Sequence, residues 1–157
     1  MALVLGTEYC KLDSNGRFKL PIVFKKQLED VDLGFSIRAG FTSECLELWT
    51  VSSFQVELEG LLKKLNPYNI EDNKILHRMT ATSVVYLDNS DRMIIPPERK
   101  SVIGDTKEIV LQGTGRYIEI WNRSAYEKMF NEISDFASVV DKRLGRLHEL
   151  PSAGDAE

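Results

Sequence analysis

Cys10-Lys11-Leu12-Asp13-Ser14-Asn15-Gly16-Arg17-Phe18-Lys19-Leu20 is the stretch on which the fold turns. Asn15-Gly16 signals a tight turn between two strands. A two-residue turn would pair Ser14 with Arg17 and mix apolar and charged side chains on both faces, which a half-buried strand avoids. A three-residue loop, Ser14-Asn15-Gly16, shifts the pairing by one. Cys10, Leu12, Phe18 and Leu20 then share one face, and Lys11, Asp13, Arg17 and Lys19 the other. The hydrophobic pattern selects this register, with Gly16 at the position that wants a positive φ. Asp13 then lies opposite Arg17, where it holds the guanidinium in one orientation. Lys11 lies opposite Lys19. Like charges directly across a ladder cost from a few tenths to about 1 kcal/mol. Such a pair points to an anionic partner that offsets the repulsion.

Working outward, the same pattern returns 75 residues later. Leu87-Asp88-Asn89-Ser90-Asp91-Arg92 repeats the Leu, Asp and Arg of Leu12, Asp13 and Arg17. Pro96 matches Pro21, and Lys100 matches Lys25. Further on, Cys45-Leu46-Glu47-Leu48-Trp49 aligns with Tyr117-Ile118-Glu119-Ile120-Trp121 at an offset of 72. The chain is written twice. The expected organisation is a first unit at 7–65, a connector at 66–80, a second unit at 81–140 and a polar tail at 141–157.

Each unit has the same order of elements. Two strands flank the loop, and a short Pro-initiated helix follows, over 21–28 and 97–103. Gly34 and Gly104 stop the elements before them. Two further strands are expected at 35–39 and 45–49 in the first unit, and at 108–112 and 116–121 in the second. An amphipathic helix closes each unit. Phe54, Leu58, Leu61, Leu62 and Leu65 form one apolar stripe, read as core; Tyr126, Met129, Phe130, Ile133 and Val140 form the other. Ser52 with Gln55, and Ser124 with Glu127, have capping-box spacing. Trp49 and Trp121 are placed to anchor those helices. The connector is partly helical by pattern, and the last residues of the tail are expected to be mobile. A unit of about 60 residues with four short strands buries little surface alone. The duplication therefore predicts that the two copies pack on each other about a pseudo-two-fold axis.

Composition sets the outer limits. The chain has 157 residues, with 20 Lys and Arg against 24 Asp and Glu. Apolar residues at 43% and charged residues at 28% describe an ordinary globular chain and exclude wholesale disorder. No apolar run reaches the roughly 18 residues of a membrane span. No basic region followed by an apolar one marks a secretory leader. Two cysteines, Cys10 and Cys45, cannot build a disulfide framework, so a reducing cytoplasm is the expected compartment.

Charge is concentrated locally. Residues 8–27 carry Lys11, Arg17, Lys19, Lys25 and Lys26 against Glu8 and Asp13, an excess of three positive charges on an acidic chain. In residues 87–100, Arg92, Arg99 and Lys100 are balanced by Asp88, Asp91 and Glu98. The first copy is thus expected to provide the main nucleic-acid surface. A two-stranded ribbon fits the DNA major groove, and an arginine aimed from it can bond O6 and N7 of a guanine. Taken alone, an Asp–Arg pair beside a turn is a solvated ion pair. Its recurrence at equivalent places is something packing does not demand.

The repeated Leu-Asp-x-x-Gly-Arg, the proline after it and the strand pair ending in Leu-Glu-Leu-Trp resemble the MraZ family. Its members are regulators encoded at the head of bacterial division and cell-wall gene clusters. The units are similar to the AbrB and MazE swapped-hairpin DNA-binding proteins. The resemblance covers about residues 7–140. It implies an α+β, mainly β fold: a double-split β-barrel formed by two tandem AbrB-like (SpoVT-AbrB) units with flanking amphipathic helices. It implies a homo-oligomeric ring and a sequence-specific transcription factor, usually a repressor, reading short G-rich direct repeats in promoter double-stranded DNA of its own operon. It implies a cytoplasmic, nucleoid-associated protein. The DNA-binding residues it implies are Asp13 and Arg17 with Lys11 and Lys19, and Asp88 and Arg92 in the second copy. Asp91 stands where the family usually has glycine. The acidic balance is reconciled with DNA binding by multivalency, several weak arms each meeting one repeat.

Two other readings are distinguishable. An AbrB-like protein-interaction module, antitoxin-like or a scaffold, would retain a small toxin and no DNA. An enzyme is not expected. His77 and His148 have no Cys, Asp or Glu at ligand spacing. The sequence has no phosphate-cradling loop or nucleophile elbow. Cys10 and Cys45 are expected to be packing residues, and no cofactor or metal is expected.

Overall fold

The computed structural model describes residues 3–42 and 44–145. His148 and the end of the polar tail lie outside them. In chain order the elements are β1 (Val4–Lys11), β2 (Arg17–Lys19), α1 (Ile22–Lys25), β3 (Phe35–Ala39), β4 (Leu46–Thr50), α2 (Val51–Lys64) and α3 (Ile70–Thr80). They continue as β5 (Ser83–Val85), β6 (Arg92–Ile94), α4 (Pro97–Lys100), β7 (Glu108–Gly115), β8 (Ile118–Asn122), α5 (Arg123–Glu132) and α6 (Phe136–Leu144). The fold is mixed α and β, with most strands in antiparallel sheets.

The three-residue loop forms, but the strands beside it do not pair with each other. β1 pairs along its whole length with β7, and β2 pairs with β6. Lys11 therefore faces Glu108 rather than Lys19, and Lys19 faces Arg92. The reason is burial. Three-residue strands gain little from a local hairpin, whereas exchange between copies sets Phe18 against Met93, both 1% exposed, in the centre of the core.

Among the described residues, four of the six strand pairings join the two copies, while β3–β4 and β7–β8 pair within one. The first strand of each copy lies beside the third strand of the other: Cys10 faces Ile109, and Val85 faces Phe35. The fourth strands meet each other, with Leu46 facing Ile120 and Leu48 facing Ile118. Two facing pairs are equivalent positions of the repeat: Phe18 with Met93, and Glu47 with Glu119. That is the register a two-fold axis between the copies requires.

Six strands form one sheet in the order β1-β7-β8-β4-β3-β5, and β2-β6 forms a second, two-stranded sheet. The strands do not close into a continuous barrel, since β1 and β5 are edges of the larger sheet. Leu12, Phe18, Leu20, Phe24, Phe35 and Ile37 join Met93, Ile95, Ile109 and Leu111 in one buried cluster. Gly34, at φ 97°, sits where a Cβ would lie 2.8 Å from the Tyr86 ring, so the chain can pass there only without a side chain.

The helices differ from expectation in instructive ways. α1 and α4 are single turns, continued by isolated hydrogen bonds to Leu28 and Ile103. Thr50, not Ser52, caps α2 by accepting from Ser53 N–H. Asn122 Oδ1 accepts from Ser124 and Ala125 N–H at the start of α5. Both caps lie two residues earlier than the capping-box reading, at the last residue of the preceding strand. Trp49 anchors α2 through an edge contact with Phe54, and Trp121 meets Tyr126 in the same way. The leucine stripe of α2 is not core: only Phe54 of that helix is buried, and Leu62 is 60% exposed. The single closing helix expected in the second copy is two, separated at Asp135, which adopts φ 53°.

The chain divides into two compact units, one to Tyr126 and one from Glu127. Both sheets lie in the first. In the second, α6 ends at Gly145, whose N–H bonds to Asp141 O.

Candidate nucleic-acid interface

The two loops are built alike. In the first, Asp13 N–H donates to Arg17 O at 2.9 Å and Gly16 N–H donates to Asp13 O at 3.0 Å. Asp13 Oδ1 accepts from the backbone N–H groups of Asn15 and Arg17, both at 2.9 Å. In the second, Asp88 Oδ1 accepts from Ser90 N–H at 2.7 Å and Arg92 N–H at 3.0 Å. Asp88 N–H donates to Arg92 O. Each aspartate thus ties its loop to the backbone of the arginine four residues on. Gly16 and Asp91 occupy the same left-handed position, at φ 77° and 60°. Aspartate tolerates that region with some strain.

The loops interlock. Ile95 N–H donates to Gly16 O at 3.0 Å, and Leu20 N–H donates to Asp91 O at 2.8 Å. The β2–β6 ribbon between them turns Phe18, Leu20, Met93 and Ile95 into the core. Its outer face presents Arg17 beside Ile94 and Lys19 beside Arg92. Ser14 and Asn15 are exposed at one loop tip, and Gly16 is buried beneath them.

Ion pairs tie the copies together. Asp13 Oδ2 lies 3.4 Å from Arg17 Nε and 3.5 Å from Arg92 Nη1. One carboxylate therefore steadies both arginines. Arg17 Nε is buried and has no hydrogen-bond partner among the described residues, while the side chain is 41% exposed. Its outer end faces solvent. Lys25 Nζ lies 2.8 Å from Asp91 Oδ1.

Both loop carboxyls titrate below their ordinary range. For Asp13 the main cause is the Arg17 N–H, helped by Asn15 N–H and by the charges of Arg17 and Arg92. For Asp88 the Arg92 N–H is foremost, then Ser90 N–H and the two guanidinium charges. Each loop is thus held by an ionised carboxylate at neutral pH.

Of the residues singled out from sequence, the structure brings Asp13, Arg17, Lys19, Asp88 and Arg92 to one surface. Lys11 is not part of the ribbon; it lies in β1 of the larger sheet. Two contacts were not anticipated: Lys25 with Asp91, and Arg92 with Asp13. Both span the copies and follow once Leu20 is placed beside Asp91. Elsewhere, buried Arg38 Nε donates to Glu47 Oε1 at 2.8 Å, and its guanidinium lies over the rings of Trp49 and Phe54. Burial pushes the Cys10 thiol up to about 11 and raises that of Cys45. His77 Nδ1 lies 2.8 Å from Asn73 O. Among the described residues no group of three or more His, Cys, Asp or Glu could hold a metal ion, and no helix is long and apolar enough to cross a membrane.

The chain is 31% identical over 152 residues to a Flavobacterium psychrophilum protein named Transcriptional regulator MraZ, covering 95% of this chain and 96% of that one. The chain belongs to the MraZ family. A Christiangramia forsetii protein of the same name is 32% identical over 148 residues, covering 92% and 95% of the two chains. One from Treponema denticola is 24% identical over 137 residues. The family model described as "MraZ protein, putative antitoxin-like" matches residues 79–147, which contain the second loop and β6.

Proposed function

We propose that this MraZ family member is a sequence-specific DNA-binding transcriptional regulator, and that the outer face of the β2–β6 ribbon reads the DNA. The observation that carries this reading is the Lys19–Arg92 pair. Two cations face each other at one end of the exposed ribbon. Asp13 reaches Arg92 but is shared with Arg17. Lys19, with no ion pair among the described residues, therefore keeps a like charge opposite it that a phosphate would offset. Arg17 and Arg92 are assigned to base edges, guanine foremost because its O6 and N7 accept a guanidinium bidentately. Lys19 is assigned to phosphate. Asp13 orients both arginines through its carboxylate, Asp88 fixes the backbone of Arg92, and Ser14, Asn15 and Gly16 shape the first loop. Lys11 is left with at most a flanking phosphate contact.

Because Arg17 and Arg92 share Asp13, the two copies form one reading surface. This extends the expectation that the first copy provides the main nucleic-acid surface. The cross-copy pairing supports assigning the fold to the double-split β-barrels, with units at 7–65 and 81–140.

The names of its relatives support regulation of transcription. Repression of its own division and cell-wall operon through short direct repeats is the form proposed, in the cytoplasm at the nucleoid. A ring of protomers is proposed to supply avidity, since one ribbon on a chain of net charge −4 binds weakly. Exposed Phe41, Tyr68 and Phe136, at 88%, 95% and 65%, are apolar surface for such assembly. Gel shift on the DNA upstream of its own gene is the test. Arg17→Ala is expected to lose the specific shift, and undiminished affinity would rule out the assigned reader.

A further inference from the structure

The two ends of the ribbon are built from equivalent residues but differ in charge. Lys25 and Lys100 are the same position of the repeat, and so are Gly16 and Asp91. At one end Asp91 holds the Lys25 ammonium at 2.8 Å. At the other the loop offers Gly16, with no carboxylate, and Lys100 has no ion pair among the described residues. We propose that Asp91 acts as an internal stand-in for a DNA phosphate. It occupies Lys25 and so weakens phosphate contact at that end of the ribbon. This inference rests on the DNA-binding reading above.

The chemistry is competition between two anions for one ammonium. Side-chain exposures of 41% and 35% leave the pair open to solvent. A pair so placed is weak enough to exchange. A phosphate approaching Lys25 must displace the carboxylate and also meet its negative charge. At the Lys100 end neither obstacle exists. Lys19 and Ile94, equivalent positions of the repeat, already distinguish the two ends of the outer face; Asp91 adds a second difference by engaging Lys25. The aspartate also sits at φ 60°, where glycine would be unstrained. Pairing with Lys25 gives the strained residue a function that the fold alone does not require.

The test uses the full-length chain and fluorescence anisotropy on a 5′-labelled duplex from upstream of its own gene, across a series of salt concentrations. Asp91→Asn keeps a residue that tolerates the left-handed region. It is expected to tighten binding about threefold or more near 0.15 M salt and to steepen the salt slope by about one. The same substitution in a Lys25→Ala background is expected to leave the slope unchanged, since no ammonium is released. An unchanged slope in Asp91→Asn, or an equal increase with Lys25 removed, would overturn the inference. Arg17→Ala, measured in parallel, separates the two claims. If it binds like the wild-type chain, the DNA reading fails. If it loses binding while Asp91→Asn changes nothing, only the role of Asp91 fails.

Discussion

Phe18 faces Met93 across the β2–β6 ribbon, and the two are the same position of a unit repeated 75 residues apart. Both are 1% exposed. The ribbon's polar face is therefore displayed by a contact that neither copy can make alone. Phe18→Ala is expected to destabilise the protein by about 3–5 kcal/mol through lost transfer energy and a residual cavity. Urea unfolding measures it; a loss below about 1 kcal/mol would show that the ribbon is not held from beneath.

Lys19 makes opposite predictions for stability and binding. Removing it relieves the repulsion with Arg92, so Lys19→Ala is expected to raise stability by a few tenths of a kcal/mol to about 1 kcal/mol in the absence of DNA. The same variant is expected to bind DNA more weakly, with a salt slope reduced by about one. Thermal melting and anisotropy on one preparation check both signs.

Asp13 serves through its backbone acceptors as well as its charge. Its carboxyl titrates below the ordinary value of 3.8, with the Arg17 N–H as first cause. A carboxyl depressed in the folded state contributes stability that is complete above its unfolded pKa and disappears as pH falls through its folded pKa. The loop is expected to stay formed on acidification to about pH 4.5 and to loosen only below the ordinary carboxyl range. The Arg17 amide resonance followed by NMR reports this directly, and a midpoint above 3.8 would contradict it. Asp13→Ala is expected to weaken DNA binding at least fivefold, while Asp13→Asn, which keeps an acceptor, loses less.

Glu47 tests the frame behind the ribbon. Its carboxylate accepts from Arg38 Nε at 2.8 Å and Trp49 Nε1 at 3.0 Å, and both charged side chains are buried. Glu47→Ala strands a guanidinium and is expected to cost about 3 kcal/mol or more. Chemical denaturation measures it, and replacing Arg38 and Glu47 together by Met and Leu is expected to recover part of the loss.

The repeat, the loop register and the faces of Cys10–Leu20 were legible because they follow from alternation and from where glycine fits. So was the alignment of Trp49 with Trp121. The strand partners were not. Lys11 and Lys19 belong to one polar face in sequence, and a local hairpin satisfies that pattern as well as an exchange between copies does. Only the depth of burial of Phe18 and Met93 decides between them. The helix caps were misplaced for a similar reason: Thr50 and Asn122 end strands, and nothing local shows that the strand's last residue also caps the helix. The leucine stripe of α2 has helical period, but period does not say whether anything covers it.

The central claim is that Arg17 reads a guanine from this ribbon, and a thermodynamic cycle between protein and DNA tests it most directly. Wild-type and Arg17→Ala chains would be titrated against the upstream duplex and against the same duplex with 7-deazaguanine at the footprinted guanines. Arg17 bonding to N7 predicts that the base change weakens the wild-type chain by about 1–3 kcal/mol and leaves the variant nearly unaffected. Equal weakening of both chains would contradict the account.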